Sequence, residues 1–190
     1  MATLFVDKID PQSGTSLEIG SSGDTITVPT GATLTVPNGA MSGQNYPAFE
    51  AYLSADQTIG DSTTTKIQYN TESLDTDGYY DNSTNYRFTP LVSGKYFVYL
   101  SNSDLASSNT NLVTAYNYIY KNGSVVSYTS QGNAGSYGRR ASPYVSSIID
   151  MNGTTDYLEG FAHIDISTGT ASVEGGSARR SFFGAYRIGD

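Results

Sequence analysis

Short runs in which apolar and polar residues alternate recur along the chain, each bounded by Gly, Asn, Asp or Pro. That period of two is the signature of half-buried β-strands. Beyond residue 45 the pattern predicts strands near residues 48–54, 65–70, 86–89, 94–101, 112–121, 124–129, 144–151, 156–165, 170–174 and 181–188. Lys121-Asn122-Gly123-Ser124 places Asn-Gly between two strands and predicts a type I′ hairpin, because both residues tolerate positive φ. Asp150-Met151-Asn152-Gly153 is read in the same way. About ten strands in one domain predict a sandwich or jelly roll, the usual ways to limit exposed edges.

The first 45 residues carry a shorter pattern. Leu17 and Ile19 alternate with polar residues, as do Ile26 and Val28, then Leu34 and Val36. Residues 25–32 and 33–40 repeat with a period of eight, each unit a short strand followed by a Pro-X-Gly turn. Two apolar side chains per unit cannot build a core alone, so the pattern predicts a β stalk in which several chains pack around an axis. A linker is the alternative. All sixteen tyrosines lie at or after Tyr46, which sets the boundary between an arm (1–45) and a knob (46–190).

Composition narrows the class. Charged residues are 15% of the chain, against about 25% in an average protein. Glu and Lys are scarce while β-branched and aromatic residues are plentiful, which excludes an all-helical protein. The net charge of −8 opposes a phosphate backbone, so nucleic acid is not an expected partner. No run of about 20 apolar residues is present, so membrane insertion is not expected either. Met1 to Val6 lacks the basic start and long apolar stretch of a signal peptide, and synthesis in the cytoplasm without export is the expectation. With no Cys, disulfides, thiolate catalysis and Cys-based metal sites are excluded.

Catalytic signals are weak. The lone His163 stands in an alternating strand and has no second His to share a metal. Paired carboxylates for glycoside hydrolysis could be drawn from Asp75, Asp77, Asp81, Glu159 and Asp165, but no spacing supports a pair. An enzyme is not expected. Asp75-Thr76-Asp77-Gly78 resembles the start of a calcium loop, yet Tyr79 stands at the fifth position and no Glu at the twelfth. A turn closed by Asp side chains is the plainer reading, no cofactor is assigned, and Asp75 and Asp77 remain weak calcium candidates. Recognition is better supported. Residues 102–111 and 130–143 are rich in Ser, Asn, Gly and Tyr with paired Arg, the composition of binding loops. Tyr128, Tyr137, Arg139, Arg140 and Tyr144 are the candidate contacts, with a solvated or subunit-packed loop as the alternative.

Residues 47–54, 66–72, 74–81 and above all Arg87-Phe88-Thr89-Pro90-Leu91-Val92-Ser93-Gly94-Lys95-Tyr96-Phe97-Val98, closed by Phe182-Phe183-Gly184-Ala185-Tyr186-Arg187-Ile188, fall in the order of a known family. The knob resembles the globular head of complement subcomponent one-q, within the tumour-necrosis-factor (TNF)-like jelly rolls. The resemblance implies an all-β, ten-stranded jelly roll that forms a homotrimer and is displayed on a stalk. It implies that some of Tyr116, Tyr118, Tyr120, Phe161, Phe183 and Tyr186 line the threefold axis, and it leaves calcium near that axis conceivable. No Gly-X-Y collagen repeat accompanies it.

Leu4-Phe5-Val6-Asp7-Lys8-Ile9-Asp10-Pro11-Gln12-Ser13-Gly14, with the Gly-Asp-Thr-Ile-Thr-Val-Pro run from Gly23, resembles the leader of virion appendage proteins of marine tailed phages. That implies an arm, through Phe5, Val6, Ile9, Leu17, Ile19, Ile26, Val28, Leu34 and Val36, anchored to a capsid or tail protein at the virion surface. The expectation is a structural knob, a head decoration or short fibre, in contact with host surface polysaccharide. A tail-fibre tip, a free carbohydrate-binding module and a glycan-degrading spike are the alternatives. An arm of 45 residues, at about 3.3 Å per extended residue, favours a short appendage over a long fibre.

Overall fold

The computed structural model describes residues 22–33, 46–107, 111–132 and 138–189. The chain divides into two units, residues 1–44 and 45–190. In the first unit, Ala32 N–H donates to the Pro29 carbonyl at 3.0 Å and Gly31 has φ +89°, which makes the expected Pro-X-Gly turn. Residues 24–29 pair with no strand among the described residues, and Ile26 and Val28 are exposed. Among the described residues no strand forms there: the two apolar side chains find no described neighbour in their own unit to bury them. The other arm candidates, Phe5, Val6, Ile9, Leu17, Ile19, Leu34 and Val36, lie outside the described residues.

The knob is all-β, with every pairing antiparallel. Its strands are β1 (Ala48–Tyr52), β2 (Gln57–Ile59), β3 (Thr65–Lys66), β4 (Thr71–Asp75), β5 (Tyr80–Asp81), β6 (Arg87–Phe88), β7 (Ser93–Ser101), β8 (Asp104–Ala106), β9 (Leu112–Lys121), β10 (Ser124–Gly132), β11 (Arg140–Ala141), β12 (Tyr144–Asn152), β13 (Leu158–Ile166), β14 (Ala171–Val173) and β15 (Phe182–Gly189). They form a five-stranded sheet ordered β12-β7-β15-β1-β4 and a six-stranded sheet β10-β9-β13-β6-β5 with β3 also on β13. A small third sheet, β11-β8-β14-β2, continues from the end of β7. The fifteen strands among the described residues exceed the expected ten. The additional five, β2, β4, β5, β8 and β11, have two to five residues each.

The core lies between the two large sheets. Phe49 of β1 stacks on Tyr80 of β5 and Phe88 of β6, at 4.7 and 4.4 Å between ring centroids, and meets Phe183 of β15 edge-on at 5.0 Å. Long strands alternate accordingly: in β7, Tyr96, Val98 and Leu100 are buried while Lys95, Phe97 and Tyr99 face outward. Gly160 lies where β13 passes Leu100 and Tyr69, and a Cβ there would collide with both side chains.

Asn122 and Gly123 have φ +52° and +77°, the expected type I′ hairpin between β9 and β10. The second proposed hairpin is corrected. The Asn152 side chain accepts hydrogen bonds from the N–H groups of Thr154, Thr155 and Asp156 at 2.9 to 3.0 Å. The chain then passes from β12 in one sheet to β13 in the other. The Asx turn forms, but it bridges the sandwich.

Candidate functional site

The alternation that builds the core also dresses each sheet with an outer aromatic face. On the six-stranded sheet, Tyr116, Tyr118 and Tyr120 of β9 face outward beside Tyr128 of β10 and Phe161 and His163 of β13. Tyr116 stacks on Tyr118 at 5.9 Å, Tyr118 meets Tyr128 at 5.7 Å, and Tyr120 lies 4.1 Å from Phe161. Tyr116 also meets His163 edge-on, and Thr64 Oγ1 is 3.3 Å from His163 Nδ1. Burial, then the neighbouring Tyr116, Tyr120 and Tyr128 phenols, raise the pKa of Tyr118. Lys66 caps this face, paired with the buried Glu159 and 5.9 Å above the Phe161 ring.

The five-stranded sheet has a different outer face. Phe97 and Tyr99 of β7 lie against Tyr186 and Phe182 of β15, at 5.5 and 6.1 Å. Gly184 makes this possible, because any Cβ there would enter the Tyr99 ring. Tyr99 donates to Glu50 Oε2 at 3.0 Å, and burial followed by that carboxylate raises its pKa. Tyr144 and Ile148 of β12 extend the face and are 52% and 59% exposed, with Tyr186 at 45%. Leu74 and Ile188 are exposed as well.

The six residues expected at a common axis therefore separate. Tyr116, Tyr118, Tyr120 and Phe161 share the outer face of the six-stranded sheet, and Tyr186 lies on that of the five-stranded sheet. Phe183 is fully buried in the core. Its neighbour Phe182 is the residue that points outward, and a strand's two-residue period makes the exchange unavoidable. Phe97, Tyr99 and Ile148 were missed, although alternation through Phe97-Val98-Tyr99-Leu100 carried the signal.

The expected contact residues do not converge. Tyr128 lies on the six-stranded face and Tyr144 on the five-stranded face. Tyr137 lies outside the described residues. Arg139 is exposed, whereas Arg140 pairs with Glu174 at 2.8 Å and Arg180 pairs with the same carboxylate at 2.9 Å. Burial raises the Glu174 pKa, but the hydrogen bonds from Arg180 and Ser103 and both guanidinium charges outweigh it, and the net shift is downward.

The segment from residue 102 is corrected from loop to interior. Asn102, Ser103 and Asp104 are all buried. Tyr69 OH donates to Asn102 Oδ1 at 2.7 Å, Asn102 Nδ2 to Asn117 Oδ1 at 2.7 Å, and Asn117 Nδ2 to the Pro143 carbonyl at 2.6 Å. Beside this chain of bonds, both Asp104 carboxylate oxygens are buried without a partner among the described residues, and burial raises its pKa well above the usual range.

The weak calcium candidates form a turn. Asp75 Oδ1 accepts from the N–H groups of Asp77, Gly78 and Tyr79, and Oδ2 from that of Tyr80 at 2.9 Å. Asp77 accepts from Thr76 Oγ1 at 2.9 Å. Among the described residues, no group of three or more acidic or His side chains is placed to hold a metal.

No family model matches the chain, and no curated protein matches it. Solved structures do. A TNF of S. frugiperda, Eiger, aligns with a TM-score of 0.54 and 12% identity over 76% of this chain and 92% of its own. Murine APRIL at pH 5.0 aligns at 0.54 and 10% over 76% and 100%. The globular domain of zebrafish complement 1qA aligns at 0.52 and 12% over 75% and 97%. At these identities the likeness establishes the fold, a TNF- and complement-head-like jelly roll, as the sequence resemblance implied.

Proposed function

We propose that this TNF-like jelly roll is the knob of a homotrimer displayed on a phage virion, held there by the N-terminal arm and acting by assembly and binding, without turnover. The observation that carries the trimer is the outer face of the five-stranded sheet. Phe97, Tyr99, Phe182 and Tyr186 touch one another there, and Tyr144 and Ile148 extend the patch into solvent. A contiguous apolar surface of this kind on a single chain marks an interface. Covering a large apolar side chain is worth about 1.5–3 kcal/mol, so a few such residues per copy suffice to hold a complex together. The number three comes from the resemblance to the complement head.

The virion assignment rests on the resemblance of Leu4 to Gly14 and of the run from Gly23 to phage appendage leaders. A capsid or tail protein is then the partner of the arm, and host surface polysaccharide is what the knob meets. Light scattering on a sizing column tests the trimer. Full-length protein should run near three times 20.3 kDa, about 61 kDa, and a 46–190 truncation should remain trimeric. A full-length monomer overturns the trimer. Mass spectrometry of purified particles tests the rest: peptides of this chain should be present in a copy number matching the particle's symmetry, and their absence overturns the virion reading.

A further inference from the structure

We propose that the pocket beside the β5–β6 turn binds a uronic-acid unit of a polysaccharide, with Arg87 taking its carboxylate. This deepens the surface-contact reading above by naming a ligand class and a site. The pocket lies within one knob and does not depend on the trimer.

The pocket has a volume of about 340 Å³, and its walls include Tyr79, Asp81, Asn85, Arg87, Thr89 and Leu91. That is near the bottom of the ~300–1,000 Å³ range of ligand sites and suits one sugar ring better than a long chain. The wall is preformed. Asp81 Oδ1 accepts from the N–H groups of Ser83 and Thr84 at 3.1 and 2.9 Å, and Oδ2 from Asn85 N–H and Nδ2 at 3.0 and 2.8 Å. Both oxygens of Asp81 are thus committed to shaping their own turn.

That commitment leaves Arg87 in an unusual position. Arg87 lies directly across the strand pair from Asp81, yet forms no ion pair with it or with any other carboxylate among the described residues. Its guanidinium instead rests on the Tyr157 ring, 4.7 Å from the centroid. Stacking holds the cation by its face and leaves its edge N–H groups for a planar acceptor. The nearby cations differ: Lys66 and Lys121 are neutralised by Glu159 and Asp156. In a chain of net charge −8, an oriented arginine without an acidic partner is a place for a ligand's charge.

The other walls choose the ligand. Tyr79 and the exposed Leu91 offer apolar surface for a ring face, while Thr89 Oγ1 and Asn85 Oδ1 can meet hydroxyls. The guanidinium fork pairs two parallel N–H groups with the two oxygens of one planar carboxylate, which suits a uronate over a doubly charged phosphate.

The test is titration of full-length protein with glucuronate, galacturonate, glucose, acetate and inorganic phosphate, followed by NMR shifts of the Tyr79–Leu91 amides. Either uronate should bind and shift these amides at least tenfold more tightly than glucose or acetate. Arg87→Gln should weaken that binding at least tenfold, and Arg87→Lys should restore it only in part. If Arg87→Gln perturbs the fold, Leu91→Glu gives the same answer from an exposed position by placing a like charge at the rim. Equal binding of glucose and uronate, binding of acetate or phosphate as tight as uronate, or retention of uronate binding in both variants overturns the assignment. Light scattering on the same samples reports the trimer separately.

Discussion

The two outer faces of the sandwich are made of the same residue types and differ in how their rings are seated. On the six-stranded sheet, Tyr116, Tyr118, Tyr120, Tyr128 and Phe161 lean on one another, and Lys66 covers the end of the row. The rings of β9 and β13 are partly covered by neighbours in the same face, while Tyr128 on the edge strand β10 is 61% exposed. On the five-stranded sheet, Gly184 lets Tyr99 lie close to the backbone, and the patch runs out to the exposed Ile148 and Tyr144. On one face the most exposed ring stands on the edge strand β10; on the other, exposure reaches the inner strand β15 at Tyr186. Aromatic content is therefore a poor guide to an interface; the uncovered remainder decides.

The largest expected effect comes from charging each face in turn. Ile148→Asp should convert a species near 61 kDa to one near 20.3 kDa, because a carboxylate would be desolvated at the subunit contact. Tyr118→Asp, on the other face, should leave the mass unchanged. Loss of the trimer by Tyr118→Asp alone would exchange the roles of the faces.

Neighbouring phenylalanines sharpen the contrast. Phe183→Ala removes a fully buried ring and should cost about 3–5 kcal/mol in denaturant unfolding. Phe182→Ala should leave subunit stability within about 1 kcal/mol while raising the trimer's dissociation constant at least tenfold. Equal destabilisation by both would mean that the two sides of β15 are not distinct.

A smaller effect is expected at the junction beyond β7. The folded pKa of Asp104 is raised, so the folded state keeps its proton where the unfolded chain has released it. Its contribution to stability is then fully present below about pH 4, the unfolded value, and is lost as pH rises through the folded one. Asp104→Asn should stabilise the knob by about 1–3 kcal/mol at neutral pH and flatten that slope. A loss of stability at pH 7 would mean that the carboxylate has an uncounted partner.

The smallest effect concerns a phenol. Tyr118→Phe removes a hydroxyl with a raised pKa from the outer face and should change the unfolding free energy by less than about 0.5 kcal/mol. Its tyrosinate absorbance, which should develop later than that of an ordinary phenol, should disappear while the trimer persists.

Ten strand windows were legible because long strands with one buried face write their period plainly, as in Tyr96-Phe97-Val98-Tyr99-Leu100. Strands such as β2 and β8 were invisible for another reason: three residues cannot establish a period. Asn102-Ser103-Asp104 read as loop because its polar residues are satisfied, or left unsatisfied, by partners 15 to 78 residues away. The site was less legible than the fold. Arg87 was quoted only as part of a family-like strand, and its significance depends on where Asp81 and Tyr157 direct their side chains. Ring seating at Gly184 is likewise a property of two strands together.

The order of strands in the five-stranded sheet also bears on synthesis. β1 is the first strand of the knob to be made, and one of its two neighbours is β15, the last. β15 also separates β1 from β7, so a nascent chain that ends before Phe182 holds β1-β4 and β12-β7 as two unjoined fragments. At about 5–20 residues per second, β1 waits roughly 7 to 26 seconds for its partner to be made. The knob is thus closed by its final strand, and the uncovered aromatic face is complete only once Phe182 and Tyr186 have joined it.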